Sequence, residues 1–497
     1  MGVGLSPRST CDAELSRGAA ATRTIKTVIL SGASQRFSDP LGSDAQPKPL
    51  LFVFNGRNRL QPTIDKLVYG GDGLARLPAD ERGPGKTVFI PFVIPGEQVE
   101  ASLATTRPGF VRGQLNSILK PSPERVDPAC PYFTRCGGCH YQHIDYAAQL
   151  RYKADILRET LRRTAKFELQ QEITLHSSQP WSYRNRTRVH VRHTPQFALG
   201  YYRHNSHALL PVESCPISSP LINQAISAVW ELGREIPQPL HGLQFFANHD
   251  DNKMLVEAYV RPGTDAKLLQ PFAAALHSSV PQIAGIIVFA ASSTEDESLQ
   301  RAPLTSIHSE KSQAIGEEFL TYHAVGVDYR VSAGSFFQTN RFFIDKLVDV
   351  AVTKQTGRAA LDLYAGAGLF TTHLARNFDQ VLAVEASPHS YEDLRRNVPH
   401  NVKCVRATTE SFLTERAAKL APEFVIVDPP RSGLGEKATA ALCRMSASHV
   451  TYVSCDPATL SRDLRRLLES GYRVEQAHLV DLFPQTYHME TVLHLAR

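Results

Sequence analysis

Three stretches near the C-terminus place a thiol and two carboxyl groups at the ends of apolar runs. Cys455 follows VTYVS, Asp428 follows FVIV, and Glu490 precedes TVLHLA. A cysteine at a strand end is suited to nucleophilic catalysis when a helix begins behind it, because a helix N-terminus stabilises a thiolate. Pro457 predicts such a helix, since proline is favoured in a first helical turn. The alternatives are a buried structural thiol for Cys455, a stiff turn at Asp428 and a solvated strand start for Glu490.

A second group of residues is suited to binding a nucleoside cofactor. The stretch LDLYAGAGLF places Gly366 and Gly368 in a strand-to-helix turn, and Glu385 ends the next predicted strand. Glycines let the backbone approach a ligand closely, and an acid at the second strand end can bind a ribose diol. Thr371 occupies the position of the third glycine in a dinucleotide-binding pattern. This departure favours S-adenosylmethionine, which has no pyrophosphate.

Four further cysteines predict a metal site. Cys130, Cys136 and Cys139 form a C-x5-C-x2-C cluster, and Cys215 in ESCPIS is the candidate fourth ligand. In a reducing compartment such a cluster is more typical of a metal site than of disulfides, although unrelated buried thiols are the alternative. Four thiolates can bind zinc or an iron-sulfur cluster, and the spacing leaves both open. The glycine pair before Cys139 and the prolines after Cys130 and Cys215 favour iron-sulfur.

The elements that position these residues are predicted from the periodicity of the chain. Residues 331–497 alternate seven apolar runs with helical segments, which predicts an α/β domain built on a largely parallel, doubly wound sheet. Ligands bind such sheets beyond the carboxyl ends of the strands. The glycine turn, Asp428 and Cys455 all fall at that edge.

Three regions precede this domain. Residues 1–58 are rich in Ser, Ala, Gly and Pro, which predicts a disordered extension. Residues 59–120 show short alternation broken by turn signals, as expected for a small β-barrel. Residues 121–330 are predicted to contain the cysteine segment and a middle α+β domain. Within them, residues 146–163 predict an amphipathic helix with a basic face that is a candidate to pack on the catalytic domain.

Composition and charge narrow the class of protein. The chain has 497 residues, 42% hydrophobic and 21% charged, and no apolar run approaches the roughly 20 residues that span a bilayer. The N-terminus lacks the apolar core of a signal peptide, so we expect a cytoplasmic protein. We expect no membrane partner, and no obligate protein partner is evident from the sequence. Residues 51–220 carry an excess of basic over acidic residues. This excess predicts docking on a polyanion, and a solvated basic face without a partner is the alternative.

One reaction uses a thiolate, a base and a methyl donor at adjacent strand ends. C5 of uracil is a poor nucleophile and needs activation before it can be methylated. Addition of the Cys455 thiolate to C6 would place enolate character on C5, which then attacks a sulfonium methyl group. A carboxylate must afterwards remove the C5 proton before the cysteine is eliminated.

Six motifs resemble those of the bacterial RNA uracil-5 methyltransferases. In chain order they are CPYFTRCGGCHYQ, VSAGSFFQTN, LDLYAGAGLF, DPPRSGL, SCDPATLSRDL and DLFPQTYHMETV. Residues 61–120 resemble the TRAM domain that precedes the catalytic part of these enzymes. The resemblance covers about residues 59–497 and implies a Rossmann-like class I methyltransferase domain.

The resemblance also implies roles for particular residues. Cys455 is the implied nucleophile and Glu490 the implied base. The residues implied to contact S-adenosylmethionine, beside the turn of Gly366 and Gly368, are Gln338, Tyr364, Glu385 and Asp428. The ligands implied for a 4Fe-4S cluster are Cys130, Cys136, Cys139 and Cys215. The chain departs from the family pattern near the cofactor at Leu369, where asparagine is frequent, and at Thr408 and Thr409, where an acid or amide is expected.

The resemblance favours 23S ribosomal RNA as the substrate. Members with the cluster act mainly on that RNA, whereas bacterial members specific for transfer RNA generally lack both the cluster and the TRAM domain. The target base must be splayed out to reach a thiolate. Phe336 and Phe337 are candidates for stacking on a base, with core packing as the alternative.

Two other classes are less consistent with the residues. An N6-adenine or amino-group methyltransferase would use the DPP motif. In those enzymes an aromatic residue usually follows the motif, whereas in this chain the residue at that position is Arg431. A non-catalytic iron-sulfur protein that binds RNA would have no use for Cys455 and Glu490.

Overall fold

The N-terminal part of the described chain begins at Arg59. The computed structural model describes residues 59–77, 85–107, 109–291, 309–352, 355–445 and 447–497. All of them belong to one compact unit, Gly56–Arg497. The disordered extension predicted for residues 1–58 lies outside the described residues. No helix in the described ranges is both long enough and apolar enough to cross a membrane.

The first sheet has six strands in the order β1-β5-β6-β4-β3-β2. They are β1 (Arg59–Leu60), β2 (Lys66–Leu67), β3 (Asp72–Arg76), β4 (Thr87–Pro91), β5 (Gln98–Arg107) and β6 (Phe110–Lys120). β1 pairs with β5 and β2 with β3, while Thr63 between them bridges to Gln98. The segment 59–67 therefore pairs with both edges of the sheet and encloses a core that includes Val88 and Val99. An N-terminal β-sheet region is thus confirmed.

A helix and a short strand follow the cysteine segment. α1 spans Tyr146–Thr160 and begins where the Asp145 side chain accepts hydrogen bonds from two N–H groups of the first turn. One wider turn, Leu161–Ala165, prolongs it to Lys166, whose φ of 55° ends the helix. The strand β7 (Ile173–His176) comes next.

The middle region contains a seven-stranded sheet in the order β10-β9-β8-β11-β12-β13-β14. Its strands are β8 (Arg186–Arg192), β9 (Ala198–Tyr202), β10 (Leu209–Pro211), β11 (Leu240–Ala247), β12 (Met254–Val260), β13 (Ile283–Ala291) and β14 (Ser309–Gly316). The helices α2 (Pro220–Leu232) and α3 (Gln270–Ser279) share an apolar core with this sheet. A hairpin of β15 (Phe319–Ala324) and β16 (Val327–Ser332) leads to the last domain.

The sheet of the C-terminal α/β domain, called the catalytic sheet below, has eight strands in the order β19-β18-β17-β20-β21-β23-β22-β7. The strands after β16 are β17 (Gly357–Leu363), β18 (Phe378–Glu385), β19 (Val402–Arg406), β20 (Phe424–Val427), β21 (His449–Ser454), β22 (Arg473–Val480) and β23 (Glu490–Ala496). The helices are α4 (Ile344–Val352), α5 (Leu369–Asn377), α6 (Pro388–Asn397), α7 (Thr409–Arg416), α8 (Glu436–Arg444) and α9 (Pro457–Glu469). β17 to β21 are parallel, and β23 is antiparallel to both neighbours. The seven strands predicted for residues 331–497 are all present.

The predicted boundary at residue 331 is wrong for one segment. β7 pairs in parallel with β22 and is the eighth strand of the catalytic sheet. The buried face of α1 packs in the same apolar core as Leu460 and Leu464 of α9. The short alternating run of β7 looks like an edge strand of any sheet, and its partner lies about 300 residues away along the chain. Residues 146–176 therefore belong structurally to the catalytic domain.

Candidate active site

Cys455 lies in the short turn between β21 and α9. The Asp456 side chain is the N-cap of α9 and accepts hydrogen bonds from the N–H groups of Ala458 and Thr459, both at 2.9 Å. Pro457 occupies the first helical turn, as its type predicts. The free N–H groups of the helix are thus engaged by the Asp456 carboxylate. The expectation that they would stabilise a Cys455 thiolate is wrong, because the capping anion takes that place.

Glu490 lies close to Cys455. β21 and β23 are antiparallel, and the last pair at this end of their ladder is Ser454 opposite Thr491. Cys455 follows Ser454 and Glu490 precedes Thr491, so both residues adjoin the end of this ladder, where the Glu490 carboxyl group raises the pKa of the thiol. Glu490 is only 3% exposed. The solvated strand start is therefore excluded, and its carboxyl group lies beside the thiol.

Burial dominates the electrostatics of this pair. It raises the pKa of Cys455, and the carboxyl groups of Glu490 and Asp428 raise it further. Burial also raises the pKa of Glu490 well above its usual range, again with a contribution from Asp428. Burial therefore disfavours the charged forms of both Cys455 and Glu490 in the unliganded protein. A bound cation or polar ligand is needed to favour their charged forms.

Arg431 supplies a positive charge to the site, which the sequence reasoning did not assign. Its guanidinium opposes the rise in pKa that burial causes at both Cys455 and Glu490. Its Nη2 lies 3.3 Å from Nε2 of His488, and its carbonyl oxygen accepts from the Thr459 hydroxyl at 3.1 Å. The available signal was an arginine directly after the DPP turn, where an aromatic residue is more usual in amino-group methyltransferases.

Two aspartates, the buried Asp362 and the partly buried Asp428, continue the site along the carboxyl edge of the sheet. Asp428 follows β20, and Asp362 lies on the neighbouring strand β17. The Thr371 hydroxyl donates to Oδ2 of Asp362 at 2.5 Å, whereas Oδ1 is buried without a hydrogen-bond partner in the described structure. Burial raises the pKa of Asp362 to about 7. Burial and the neighbouring Asp362 also raise the pKa of Asp428.

The glycine turn lies next to Asp362. The Gly366 N–H donates to Oε2 of Glu385 at 2.9 Å, and the Ser387 N–H donates to Oε1 at 2.6 Å. Gly366 has a φ of 55°, and no heavy atom lies within 4 Å of the position a Cβ would take. A Cβ on Gly368 would instead be 3.0 Å from Leu394. Gly366 therefore opens onto free space beside a carboxylate, whereas Gly368 is required for packing.

The remaining predicted cofactor residues lie around this turn to different degrees. Tyr364 follows β17 with a φ of 66°. Burial raises the pKa of its hydroxyl, and the Thr409 side chain opposes that rise. Thr408 caps α7 by accepting from the Ser411 N–H at 3.2 Å. Gln338 is buried, and its carbonyl oxygen accepts from Asn185 at 3.3 Å. No contact found among the described residues joins the Gln338 side chain to the glycine turn.

The two candidate stacking residues have different environments. Phe337 is 3% exposed and packs against Tyr322 and Tyr329, with ring centroids 4.8 and 5.7 Å away. Phe336 is 50% exposed. Core packing is thus correct for Phe337, and only Phe336 is available to a ligand within this pair.

The four predicted metal ligands line a single cavity in the middle region. They are Cys130, Cys136, Cys139 and Cys215. Burial raises the pKa of Cys136 to about 11, and the Cys215 and Cys130 thiols contribute. Arg184 also lines the cavity, and its buried Nε has no hydrogen-bond partner in the described part of the chain. Within the same residues, no three His, Cys, Asp or Glu side chains are arranged to hold a single metal ion.

Comparison with known families identifies the catalytic part. The family described as tRNA (Uracil-5-)-methyltransferase matches residues 145–497. The chain belongs to this family. Its match begins one residue before α1 and covers the whole catalytic sheet with Cys455 and Glu490. The enzyme class predicted from the sequence, an RNA (uracil-5-)-methyltransferase, is thereby confirmed.

Bacterial relatives match over more of the chain than the family span. An uncharacterised RNA methyltransferase of Aquifex aeolicus is 32% identical over 442 residues, which cover 87% of this chain and 97% of the relative. An uncharacterised RNA methyltransferase of Gloeobacter violaceus is 30% identical over 481 residues, covering 92% of this chain and all of the relative. The similarity to these relatives therefore extends beyond residues 145–497.

A solved structure shares the fold. The crystal structure of the Pyrococcus abyssi tRNA (uracil-54, C5)-methyltransferase, in complex with S-adenosyl-L-homocysteine, matches with a TM-score of 0.67 and 24% identity. The match covers 88% of this chain and 100% of that chain. It confirms a class I methyltransferase-like α/β fold with an additional N-terminal β-sheet region.

Proposed function

We propose that this family member methylates C5 of uridine in RNA with S-adenosylmethionine, using Cys455 as nucleophile and Glu490 as base. The proposal is supported by the pairing of β21 with β23, which ends at Ser454 and Thr491, the neighbours of Cys455 and Glu490. The Arg431 guanidinium beside them favours the charged forms that the reaction needs.

The reacting groups act in sequence on one uracil ring. The Cys455 thiolate forms a bond from Sγ to C6, and the electron pair of the C5–C6 double bond moves towards C5 and O4. C5 then takes the methyl group. The Glu490 carboxylate accepts the C5 proton, the electron pair restores the double bond, and the Sγ–C6 bond breaks to release the thiolate. Because the thiol and the carboxyl group are close together, one placement of the ring can bring C6 to Cys455 and the C5 proton to Glu490.

The cofactor residues fit a nucleoside ligand that bears a positive charge. Gly366 leaves room for close approach, and each Glu385 oxygen retains a lone pair after accepting its backbone N–H. The unpartnered Asp362 oxygen and the Asp428 carboxyl lie between this turn and Cys455. When bound, S-adenosylmethionine supplies a methyl group on a sulfonium sulfur. The residues proposed to hold it are Gln338, Tyr364, Gly366, Gly368, Glu385 and Asp428.

We further propose that the thiol cavity holds a 4Fe-4S cluster, with zinc as the less favoured occupant. The proposal is supported by the four thiols that line one cavity and by the motif resemblance. Arg184 also lines this cavity and has an unpartnered buried Nε, as expected if it balances a negatively charged cluster. The proposed ligands are Cys130, Cys136, Cys139 and Cys215, and the proposed role is structural.

The proposed substrate is 23S ribosomal RNA. Support comes from the N-terminal sheet, which we interpret as a TRAM domain, together with the four cysteines, the combination that the motif resemblance associates with ribosomal RNA. Transfer RNA is the second candidate, because the Pyrococcus abyssi enzyme of similar fold is a tRNA (uracil-54, C5)-methyltransferase. Both RNAs would present a flipped uridine to the cleft.

A covalent trapping experiment tests the mechanism. Purified protein is incubated with S-adenosylmethionine and RNA that carries 5-fluorouridine, and complexes are separated on a denaturing gel. Fluorine at C5 cannot leave as a proton, so we expect a stable protein–RNA adduct. Cys455→Ala should abolish it. Cys443→Ala is the matched control, because this partly buried thiol lies on α8 and points to a backbone carbonyl of α9.

Three outcomes would contradict the proposal. The first is that protein active in methyl transfer forms no adduct, and the second is that the adduct persists in Cys455→Ala. The third is that, when the methyl donor is tritiated, the label is found in adenosine instead of uridine. Parallel reactions with 23S ribosomal RNA and transfer RNA identify the substrate. Iron and sulfide analysis with visible absorption tests the cluster, and a colourless preparation that contains zinc would exclude it.

A further inference from the structure

The N-terminal sheet region contacts the Cys455–Asp456 turn directly through Tyr69. The hydroxyl of Tyr69, in the turn between β2 and β3, donates to Oδ2 of Asp456 at 3.1 Å. It lies 3.4 Å from the carbonyl oxygen of Cys455. A side chain almost 400 residues upstream therefore contacts both the nucleophile and the cap of the helix behind it.

The turn that carries Tyr69 is well defined. Gly71 N–H donates to the Val68 carbonyl at 3.2 Å, and Gly70 has a φ of 110°, as the third position of a type II turn requires. A Cβ on Gly71 would lie 3.1 Å from Cβ of His140. This close approach seats the turn against the segment that follows Cys139.

Two further contacts anchor the same hairpin on the catalytic domain. The Lys66 ammonium binds the Glu159 carboxylate of α1, with distances of 2.5 and 2.6 Å to its two oxygens. The Tyr69 ring meets Tyr487 edge to face, with centroids 5.4 Å apart, and Tyr487 lies 4.5 Å from the His140 ring. Tyr69 is thus held by its neighbours on several sides.

We propose that Tyr69 is a positioning residue of the methyl-transfer site, through which the N-terminal sheet fixes the conformation of the Cys455–Asp456 turn. The inference rests on the proposed nucleophilic role of Cys455. It assigns the N-terminal sheet a part in completing the active site, in addition to any contact with RNA.

The two oxygens of the Asp456 carboxylate accept different hydrogen bonds, and this difference explains how Tyr69 can influence the Cys455 thiol. Oδ1 accepts the two N–H groups of α9, and Oδ2 accepts the Tyr69 hydroxyl. Without Tyr69, Oδ2 would keep its full negative charge next to Cys455, and Asp456 already raises the pKa of that thiol. Burial and Asp456 raise the pKa of Tyr69, so its hydroxyl remains a donor at all working pH values.

The test compares Tyr69→Phe with Tyr152→Phe in the full-length enzyme. The Tyr152 hydroxyl also donates to a carboxylate, that of Glu124, and Tyr152 is likewise partly buried. At saturating 5-fluorouridine RNA, Tyr69→Phe should form the adduct about tenfold more slowly, which corresponds to about 1.4 kcal/mol. RNA affinity should change less than twofold, and Tyr152→Phe should react like the wild type.

A second measurement needs no RNA. The rate at which iodoacetamide alkylates Cys455, followed by mass spectrometry of its peptide, should have a pH profile displaced to higher pH in Tyr69→Phe. In an Asp456→Asn background the same substitution should have a smaller effect, since the two residues act together. A wild-type alkylation profile and adduct rate in Tyr69→Phe would overturn the proposal.

The outcomes separate this proposal from the function itself. Weaker RNA binding with a wild-type adduct rate at saturation would make Tyr69 an RNA contact and overturn its positioning role. Wild-type protein that forms no adduct with any RNA would overturn the proposed reaction. The alkylation profile would still decide whether Tyr69 influences the Cys455 turn.

Discussion

Removal of the Lys153 ammonium should destabilise the protein strongly. Lys153 Nζ lies 2.7 Å from Oδ1 of Asp481, and both side chains are fully buried. The ammonium also donates to the Phe483 carbonyl at 3.1 Å, whereas Oδ2 of Asp481 has no partner among the described residues. The pair thus joins α1 to the loop that leads from β22 to Glu490.

The size of the effect follows from this burial. In Lys153→Met the Asp481 carboxyl must either remain charged without its partner or take up a proton. Protonating an ordinary aspartate at pH 7 costs about 4 kcal/mol, which agrees with the 3–5 kcal/mol typical of breaking one partner from a buried pair. The cost of protonating the carboxyl group decreases as the pH is lowered, and it is about 1.5 kcal/mol at pH 5.

Urea unfolding of the full-length protein, followed by tryptophan fluorescence at pH 7 and pH 5, measures both quantities. We expect Lys153→Met to lose 3–4 kcal/mol at pH 7 and less than half of that at pH 5. Lys153→Met combined with Asp481→Leu should recover most of the loss, because an apolar pair leaves no buried charge. A loss below 1 kcal/mol at pH 7, or one independent of pH, would refute the reasoning.

Three further experiments address the catalytic edge. Glu490→Gln should accumulate a covalent adduct with ordinary uridine RNA and lower product formation at least about 100-fold, since proton removal is blocked; rapid product release would exclude Glu490 as the base. Gly366→Ala should weaken S-adenosylmethionine binding at least about tenfold in calorimetry. Gly96→Ala, at another positive φ with open space around its Cβ position, should change only stability, by about 1 kcal/mol. The raised pKa values of Asp362 and Asp428 mean that the fold retains protons that the unfolded chain releases, so stability should fall as pH rises from about 4 to about 7. The wild-type melting temperature should therefore be higher at pH 5.5 than at pH 7.5, with a smaller difference in Asp362→Asn.

Local sequence signals were sufficient to predict the strands and to place Cys455 and Glu490 at strand ends. The run VTYVS before Cys455 and the run after Glu490 each form a strand as predicted, and parallel topology alone brings Asp428 to the same edge. These features depend on residues close in sequence and on general rules of sheet assembly. The family match to residues 145–497 agrees with them.

Features that depend on distant packing were missed. The helix predicted for residues 146–163 has a basic face, yet Lys153 is buried on the apolar face of α1 with Leu150 and Leu157. The helical spacing of these residues was visible in the sequence, but the pairing of Lys153 with Asp481 could not be predicted from it. The proton affinity of Cys455 was misjudged for a related reason: the helix behind it is a local feature, whereas the burial that raises its pKa comes from the whole fold.

The position of β7 has a consequence for how the catalytic part can be isolated. A fragment that began at residue 331 would leave the outer edge of the eight-residue strand β22 unpaired, with a row of free N–H and C=O groups. Such edges recruit strands from other molecules. β7, only four residues long, covers this edge and thereby protects the sheet from intermolecular strand addition. A fragment that starts at residue 145 should therefore remain monodisperse where one that starts at residue 331 aggregates.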